Sequence, residues 1–127
     1  MNYTYTGNLT AKSEFSCRFK TPEGKRNSIV ANISTPNRTE PGFMNQQYNK
    51  FLSVGNYALY VDEGYENALL FDCGTVFGFQ EYCLHVISRK PNMDKQVYDK
   101  IVAFAKSLGF DEKKLEPTLQ DKCWTSV

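Results

Sequence analysis

Short stretches of alternating apolar and polar residues make up most of the chain as far as Ser88. Alternation with a period of two is typical of β-strands, in which successive side chains point to opposite faces of a sheet. Clusters of Gly, Pro and Asn separate these stretches and indicate turns. The pattern predicts strands at residues 2–6, 14–20, 28–33, 57–62, 66–73 and 79–88, a weaker apolar segment at 43–54, a hairpin turn at Gly55-Asn56 and a last extended segment at 117–124.

One stretch after Pro91 has helical spacing instead. Its apolar residues recur at intervals of three and four, which places them on one face of a helix. They are Val97, Ile101, Phe104, Ala105 and Leu108. Asn92 or Asp94 can cap the first turn, and Gly109 can end the last. We therefore predict a helix at residues 94–108 that buries this face, including Phe104 and Leu108, over the strand at 79–88.

The order of these elements predicts the architecture. Strands that follow one another through turns pair antiparallel, because a parallel crossover needs a dozen or more residues. We expect an all-β fold with one C-terminal α-helix packed outside the sheet. An up-and-down barrel is favoured over a sandwich, since no long connection of the Greek-key kind precedes residue 90. The 127 residues, 41% of them hydrophobic, suffice for a single domain over residues 1–127.

The charges argue against several classes of partner. Fifteen basic and fourteen acidic side chains give a net charge of +1, and neither sign forms a long block. We therefore expect no nucleic-acid partner and no electrostatic binding to a membrane surface. No apolar run approaches the roughly 18 residues of a membrane span.

Cysteines and glycosylation motifs indicate a secreted, extracellular protein. The cysteines lack the spacing of a zinc site, so disulfides are favoured over free thiols. They are Cys17, Cys73, Cys83 and Cys123. Acceptor motifs for N-glycosylation begin at Asn2, Asn8, Asn32 and Asn37. The lack of a signal peptide at Met1 would then indicate a mature or truncated chain.

Three segments resemble the signatures of lipocalins. Residues 62–73, DEGYENALLFDC, are similar to the second lipocalin signature, and residues 86–91, VISRKP, are similar to the third, with its arginine at Arg89. Residues 108–123 resemble the helix exit and final strand of the apolipoprotein D and arthropod branch. The resemblance covers most of residues 57–123. It implies an antiparallel up-and-down barrel, eight-stranded in the family and with about seven strands here.

The chain also departs from the lipocalin pattern. The first lipocalin strand carries a Gly-x-Trp motif, which is missing here, since the one tryptophan is Trp124. We expect an N-terminally truncated domain whose two unpaired strand edges favour a homodimer. In the resembling branch, the cysteines that match Cys73 and Cys123 pair with cysteines further upstream. A fragment, an isoform and a variant pairing among the four cysteines all stay open.

Strand alternation predicts which residues face the barrel interior. If Tyr82, Leu84 and Val86 lie under the helix, Glu81 and His85 point inward, where they could hydrogen-bond the polar end of a ligand. Aromatic and aliphatic side chains would line the rest of the pocket or form ordinary core. The predicted ligand-binding residues are Tyr3, Tyr5, Phe15, Phe19, Tyr57, Leu59, Leu69, Phe71, Glu81 and His85.

No pair of nucleophile and base is recognisable, so we predict no enzyme, no catalytic residue, no metal and no cofactor. The resemblance implies binding and transport of a small hydrophobic ligand, such as a fatty acid, retinoid, sterol, pigment or pheromone. One alternative is a secreted scavenger of small amines, or an inhibitor of a host protein, as in salivary lipocalins of blood-feeding arthropods. Glu81 and Asp72 could then neutralise an amine. An isomerase of the prostaglandin kind would need Cys83 as an unpaired thiol in the barrel.

Overall fold

The computed structural model describes residues 2–21 and 23–120 and shows seven strands followed by one α-helix. The strands are β1 (Asn2–Gly7), β2 (Thr10–Arg18), β3 (Arg26–Ser34), β4 (Phe43–Asn49), β5 (Leu52–Val61), β6 (Asn67–Val76) and β7 (Phe79–Ser88). Helix α1 (Lys95–Ser107) and a short 3-10 helix (Glu112–Lys114) follow. The extended segment predicted at 117–124 has no regular structure as far as Gln120, and its remainder lies outside the described residues.

The seven strands form one sheet in the order of the sequence, from β1 to β7. Each described pairing is antiparallel, and β2 and β3 pair continuously from Thr10↔Ser34 to Arg18↔Arg26. The predicted all-β, up-and-down fold with a C-terminal helix is confirmed. Within the described residues, β1 and β7 are the two edge strands, each with one neighbour.

The hairpin turn predicted at Gly55-Asn56 is wrong, because both residues lie inside β5. The turn occurs earlier, where the Asn49 side-chain oxygen accepts hydrogen bonds from the backbone N–H groups of Phe51 and Leu52 at 2.8 and 3.0 Å. Gly55 serves packing instead. A Cβ atom there would lie 3.2 Å from the ring of Phe43, so a side chain would displace that ring.

The chain forms two compact units. The first comprises Met1–Tyr57 and Asp72–Cys83, and the second comprises Ala58–Phe71 and Leu84–Val127. Strands β5, β6 and β7 therefore each contribute residues to both units. Among the described residues, no helix combines the length and the apolarity that crossing a membrane requires.

Helix α1 organises the core of the second unit. It begins where the Asp94 carboxylate accepts hydrogen bonds from the first turn, and Gly109 follows it with a φ of 93°. Ile101, Ala105 and Leu69 are buried at 0, 2 and 0% exposure and form the core cluster. Leu84 and Val86 pack against this cluster, as do Leu59, Tyr60, Met93, Val97 and Phe110. The predicted position of the helix over Leu84 and Val86 is confirmed.

Three side chains assigned to this buried face are exposed. Phe104 is 37% exposed, Leu108 50% and Tyr82 69%, so the prediction that they are fully covered is wrong. The 13-residue helix spans ~20 Å, whereas the 10-residue strand β7 spans ~33 Å, so one helix cannot cover the whole strand. Ile101 and Ala105 are the buried residues of the helix, and the ring of the more exposed Phe104 lies 5.9 Å from that of Tyr60.

Arg89 has a structural role in the second unit. Its side-chain Nε donates to the carbonyl oxygen of Tyr65 at 2.7 Å, and its backbone N–H donates to the carbonyl oxygen of Glu66 at 2.9 Å. Both acceptors belong to the connection between β5 and β6. Arg89 therefore fixes this connection to the end of β7.

Candidate functional site

A cavity of about 140 Å³ lies in the first unit. Its lining comes from β4, β5, β6 and β7 and consists of Tyr48, Val54, Asp72, Gly74, Glu81, Tyr82 and Cys83. Gly74 helps to keep this space open, because a Cβ atom at its position would lie 3.2 Å from a methyl group of Val54. Asp72 and Gly74 alternate along β6, as do Glu81 and Cys83 along β7, so these four residues share one face of the sheet.

Asp72 is held at this cavity by a buried amide. Asn56 is 2% exposed, and its side-chain Nδ2 donates a hydrogen bond to Asp72 Oδ1. The other end of the amide, Asn56 Oδ1, is buried without a hydrogen-bond partner among the described residues. A buried acceptor without a partner costs free energy, so Asn56 is better satisfied when a donor reaches it.

Two phenols lie near the same carboxylate. The hydroxyl of Tyr48 donates to the side-chain oxygen of Gln46 at 3.0 Å, and Gln46 is 6% exposed. Burial raises the pKa of Tyr48, and the negative charge of Asp72 raises it further. The pKa of Tyr3 is raised by burial first and then by the charges of Asp72 and Tyr48. Both phenols therefore stay protonated at neutral pH and can donate hydrogen bonds.

The size and chemistry of the cavity limit what it can hold. Its volume of about 140 Å³ is below the roughly 300–1,000 Å³ of complete ligand pockets. Carboxylates at Asp72 and Glu81 provide acceptors, and the phenol of Tyr48 provides a donor. The cavity is therefore suited to the polar end of a small molecule rather than to an entire apolar chain.

The predicted ligand residues of the first unit lie at different distances from this cavity. Glu81 lines it, and Tyr3 is close enough to Asp72 for its pKa to respond. Tyr5 and Phe19 are 85 and 59% exposed, Phe15 is 46% exposed, and none of the three is in the lining. The ring of Tyr57 packs against that of Phe43, with centroids 4.7 Å apart.

The remaining predicted ligand residues belong to the second unit. Leu69 is fully buried in the core beneath α1, and Leu59 packs against it. The ring of Phe71 lies 5.5 Å from that of Phe110. Leu59 and Leu69 thus belong to the structural core, and Phe71 contacts a residue that packs against it. His85 is exposed and is not part of the cavity lining.

The buried polar residues Gln46 and Asn56 and the half-buried Tyr48 were not among the predicted site residues. The segment at 43–54 has weak strand propensity around Gln46, so the sequence did not assign Gln46 to a face of the sheet. The register assigns it, because Gln46 lies opposite Ile33 on one side and Val54 on the other. Directly opposed residues share a sheet face. The sequence did contain one signal. Gln46 alternates with Met44 and Tyr48, and a polar residue in such a row on a predicted interior face indicates a site.

The cysteines in the described part of the chain are free thiols. Cys17, Cys73 and Cys83 are exposed and unpaired, and Cys123 lies outside the described residues. Cys83 is on the cavity face of the sheet, whereas alternation places Cys73, next to Asp72, on the opposite face. Residues 2–21 and 23–120 contain no group of three or more His, Cys, Asp or Glu side chains that could hold a metal ion.

An up-and-down antiparallel sheet, a C-terminal helix and a cavity on one sheet face together define a protein of the up-and-down β-barrel class. The chain belongs to the family of lipocalin-like domains, whose profile matches residues 1–120. This match confirms the resemblance noted in the sequence. A search of curated protein sequences found no match.

Solved structures share the fold. Lobster apocrustacyanin A1 superposes with a TM-score of 0.67 at 21% identity, over 88% of this chain and 60% of that protein. A deswapped triple mutant of bovine odorant binding protein superposes with a TM-score of 0.61 at 12% identity, over 93% of this chain and 74% of that protein. The chain thus spans about 60% of the length of apocrustacyanin A1.

Proposed function

We propose that this protein binds and carries a small hydrophobic ligand whose polar end occupies the cavity at Asp72. The observation that carries the proposal is the buried amide of Asn56, which holds Asp72 and keeps one acceptor without a partner in the described structure. The lipocalin-like family and the fold shared with an odorant binding protein support a binding role.

The sheet face that bears the cavity also offers apolar surface for the rest of the ligand. Opposed residues connect Val54 through Gln46, Ile33 and Ala11 to Tyr5 on β1. Because such residues share a face, Tyr3, Tyr5 and Phe15 lie on the same side as the cavity. This supports the predicted ligand contacts of these three aromatic residues, which remain proposals.

A binding role is favoured over catalysis by the surroundings of Cys83. Among the described residues that line the cavity, none is a histidine, lysine or arginine that could activate this thiol. We therefore propose burial of a ligand without chemical conversion.

The second candidate function is the capture of a small amine. It is favoured by one observation, namely that the carboxylates of Asp72 and Glu81 line one cavity in which the described lining contains no basic side chain. An ammonium group could balance these charges. The two candidates differ in the head group that the cavity prefers.

A displacement assay separates the candidates. A fluorescent apolar probe is displaced by an alkyl acid, alcohol and amine of equal chain length, in wild type and in Asp72→Asn and Glu81→Gln. We expect the acid to bind weakest. We also expect Asp72→Asn to weaken the alcohol or the amine by about tenfold or more, since a hydrogen bond to a charged group contributes roughly 1.5–3 kcal/mol.

Glu63→Gln is the matched control, because Glu63 is an exposed carboxylate of the second unit. A marked preference for the amine that Asp72→Asn removes would select the amine function. Equal rankings of the three head groups in wild type and in both cavity variants would contradict the cavity as a head-group site. His85→Leu tests separately whether ligand contact extends to His85.

We also propose that the protein is secreted and glycosylated. Asn37 is exposed in the connection between β3 and β4, and its side-chain oxygen accepts hydrogen bonds from the backbone N–H and the hydroxyl of Thr39 at 3.0 and 2.8 Å. Asn8 is exposed in the turn between β1 and β2. Glycans at these two positions would extend away from the strands. A change in mass after N-glycosidase treatment of the natural protein would support this proposal, and an unchanged mass would contradict it.

A further inference from the structure

Four exposed phenylalanines lie at the hairpin turns at one end of the first unit. In an up-and-down sheet every second turn lies at the same end, so the β2–β3, β4–β5 and β6–β7 turns share an end. These turns carry Phe19, Phe51 and Phe77, which are 59, 85 and 97% exposed, and Phe79, the first residue of β7, is 74% exposed. Turns are usually built from Gly, Asn, Asp and Pro, so repeated phenyl rings at such positions call for a partner.

The backbone at the β6–β7 turn is unfavourable for a phenylalanine. Phe77 has a φ of 50° and Gly78 a φ of 84°. Two-residue hairpin turns with positive φ at both positions favour Asn-Gly or Gly-Gly, because a bulky side chain is strained there. Phe77 is almost entirely exposed, so no contact within the described fold offsets this strain. The turn thus presents an aromatic ring to the surroundings at a conformational cost.

Basic side chains accompany these rings. The β2–β3 turn carries two of them, the last residue of β2 and the first residue of β3 add one each beside it, and the β4–β5 turn carries one, whereas Glu23 is the acidic residue of the described turn positions. The basic residues are Arg18, Lys20, Lys25, Arg26 and Lys50. The Nζ atoms of Lys20 and Lys50 lie 5.2 and 4.8 Å from the ring centroids of Phe19 and Phe51. Folding places Lys50 at the same end of the first unit as the basic residues at 18–26. This end is therefore positively charged, although the whole chain has a net charge of only +1.

We propose that these three turns, here called the tip surface, bind an anionic lipid bilayer. The phenyl rings would enter the interfacial region while the lysine ammonium groups contact the headgroup phosphates. Separate projecting turns suit a fluid interface, which can accommodate each ring individually. A protein partner would instead be expected to require a continuous surface with high shape complementarity.

The tip surface lies close to the cavity along the chain. Val54 follows the β4–β5 turn by a few residues, and Gly74 and Glu81 flank the β6–β7 turn. A bilayer at the tip surface would thus be next to the cavity, where an apolar ligand could be exchanged with lipid. The proposal does not depend on this exchange, since it rests on the exposed rings and their charges.

Co-sedimentation with vesicles tests the proposal. We expect the wild-type chain to bind phosphatidylcholine vesicles that contain phosphatidylserine, to bind pure phosphatidylcholine much less, and to dissociate as salt is added. The double variant F51S/F77S should bind at least about tenfold more weakly than wild type, because each ring contributes apolar area. The variant K20Q/K50Q should bind more weakly and with a smaller dependence on salt.

Tyr65→Ser is the matched control. Tyr65 is also an exposed aromatic residue in a turn, at 72% exposure and a φ of 54°, but it belongs to the second unit. Its removal should leave vesicle binding unchanged, and circular dichroism should show that all variants keep their sheet. Absence of wild-type binding to anionic vesicles would overturn the proposal, as would equal losses in Tyr65→Ser and F51S/F77S. Failure to bind vesicles would leave a protein partner as the explanation for the exposed rings.

Discussion

Ile101→Ala should destabilise the second unit more than any exposed change on the same helix. Ile101 is fully buried and forms the core cluster with Leu69 and Ala105. The substitution removes three carbon groups, and at about 0.8 kcal/mol each their transfer term is about 2.4 kcal/mol. A residual cavity adds to this, because α1 and the strands beneath it can only partly collapse. The total expected loss of unfolding free energy is about 3–4 kcal/mol, within the range of such substitutions.

Chemical denaturation followed by circular dichroism measures this loss, with Leu108→Ala as the matched control on the same helix. Leu108 is 50% exposed, so its truncation should cost about 1 kcal/mol or less. Phe104→Ala should fall between the two, since its ring is 37% exposed but contacts Tyr60. A loss of less than about 1 kcal/mol for Ile101→Ala would refute the packing of α1 described above.

Two further predictions concern the first unit and the sheet edges. The pKa values of Tyr3 and Tyr48 are raised above 10.0, so their contribution to stability is complete below that pH and is lost as the pH rises through the raised values. Asp72→Asn should lower both pKa values only part of the way to 10.0, because burial is the larger cause of the shifts. Ultraviolet titration of the phenolates would measure this. Unchanged titration curves would contradict the proximity of the two phenols to Asp72. The edge strands β1 and β7 should favour a homodimer, and a monomer at all concentrations in sedimentation equilibrium would count against it.

The sequence by itself determined the elements whose signals are local. The helix was predictable because the spacing of Val97 and Ile101, the cap at Asp94 and the stop at Gly109 all lie within one short segment. The order of strands followed from turns that are too short for crossovers. The turn at Asn49 was missed, because it depends on a hydrogen bond from the backbone to the Asn49 side chain. The Gly55-Asn56 dipeptide is a stronger turn signal in the sequence, and the turn was therefore predicted there.

Tertiary structure decided which faces and which charges come together. The aliphatic residues Leu59 and Leu69 were predicted to line the pocket but form the core under α1, since alternation gives two faces and does not say which of them the helix covers. Asn56 and Asp72 are distant in sequence, and only the pairing of strands brings them into contact. The tip surface likewise exists only in the fold, because every second turn of an up-and-down sheet lies at one end and so places Lys50 and the phenylalanines of the other turns beside the basic residues at 18–26.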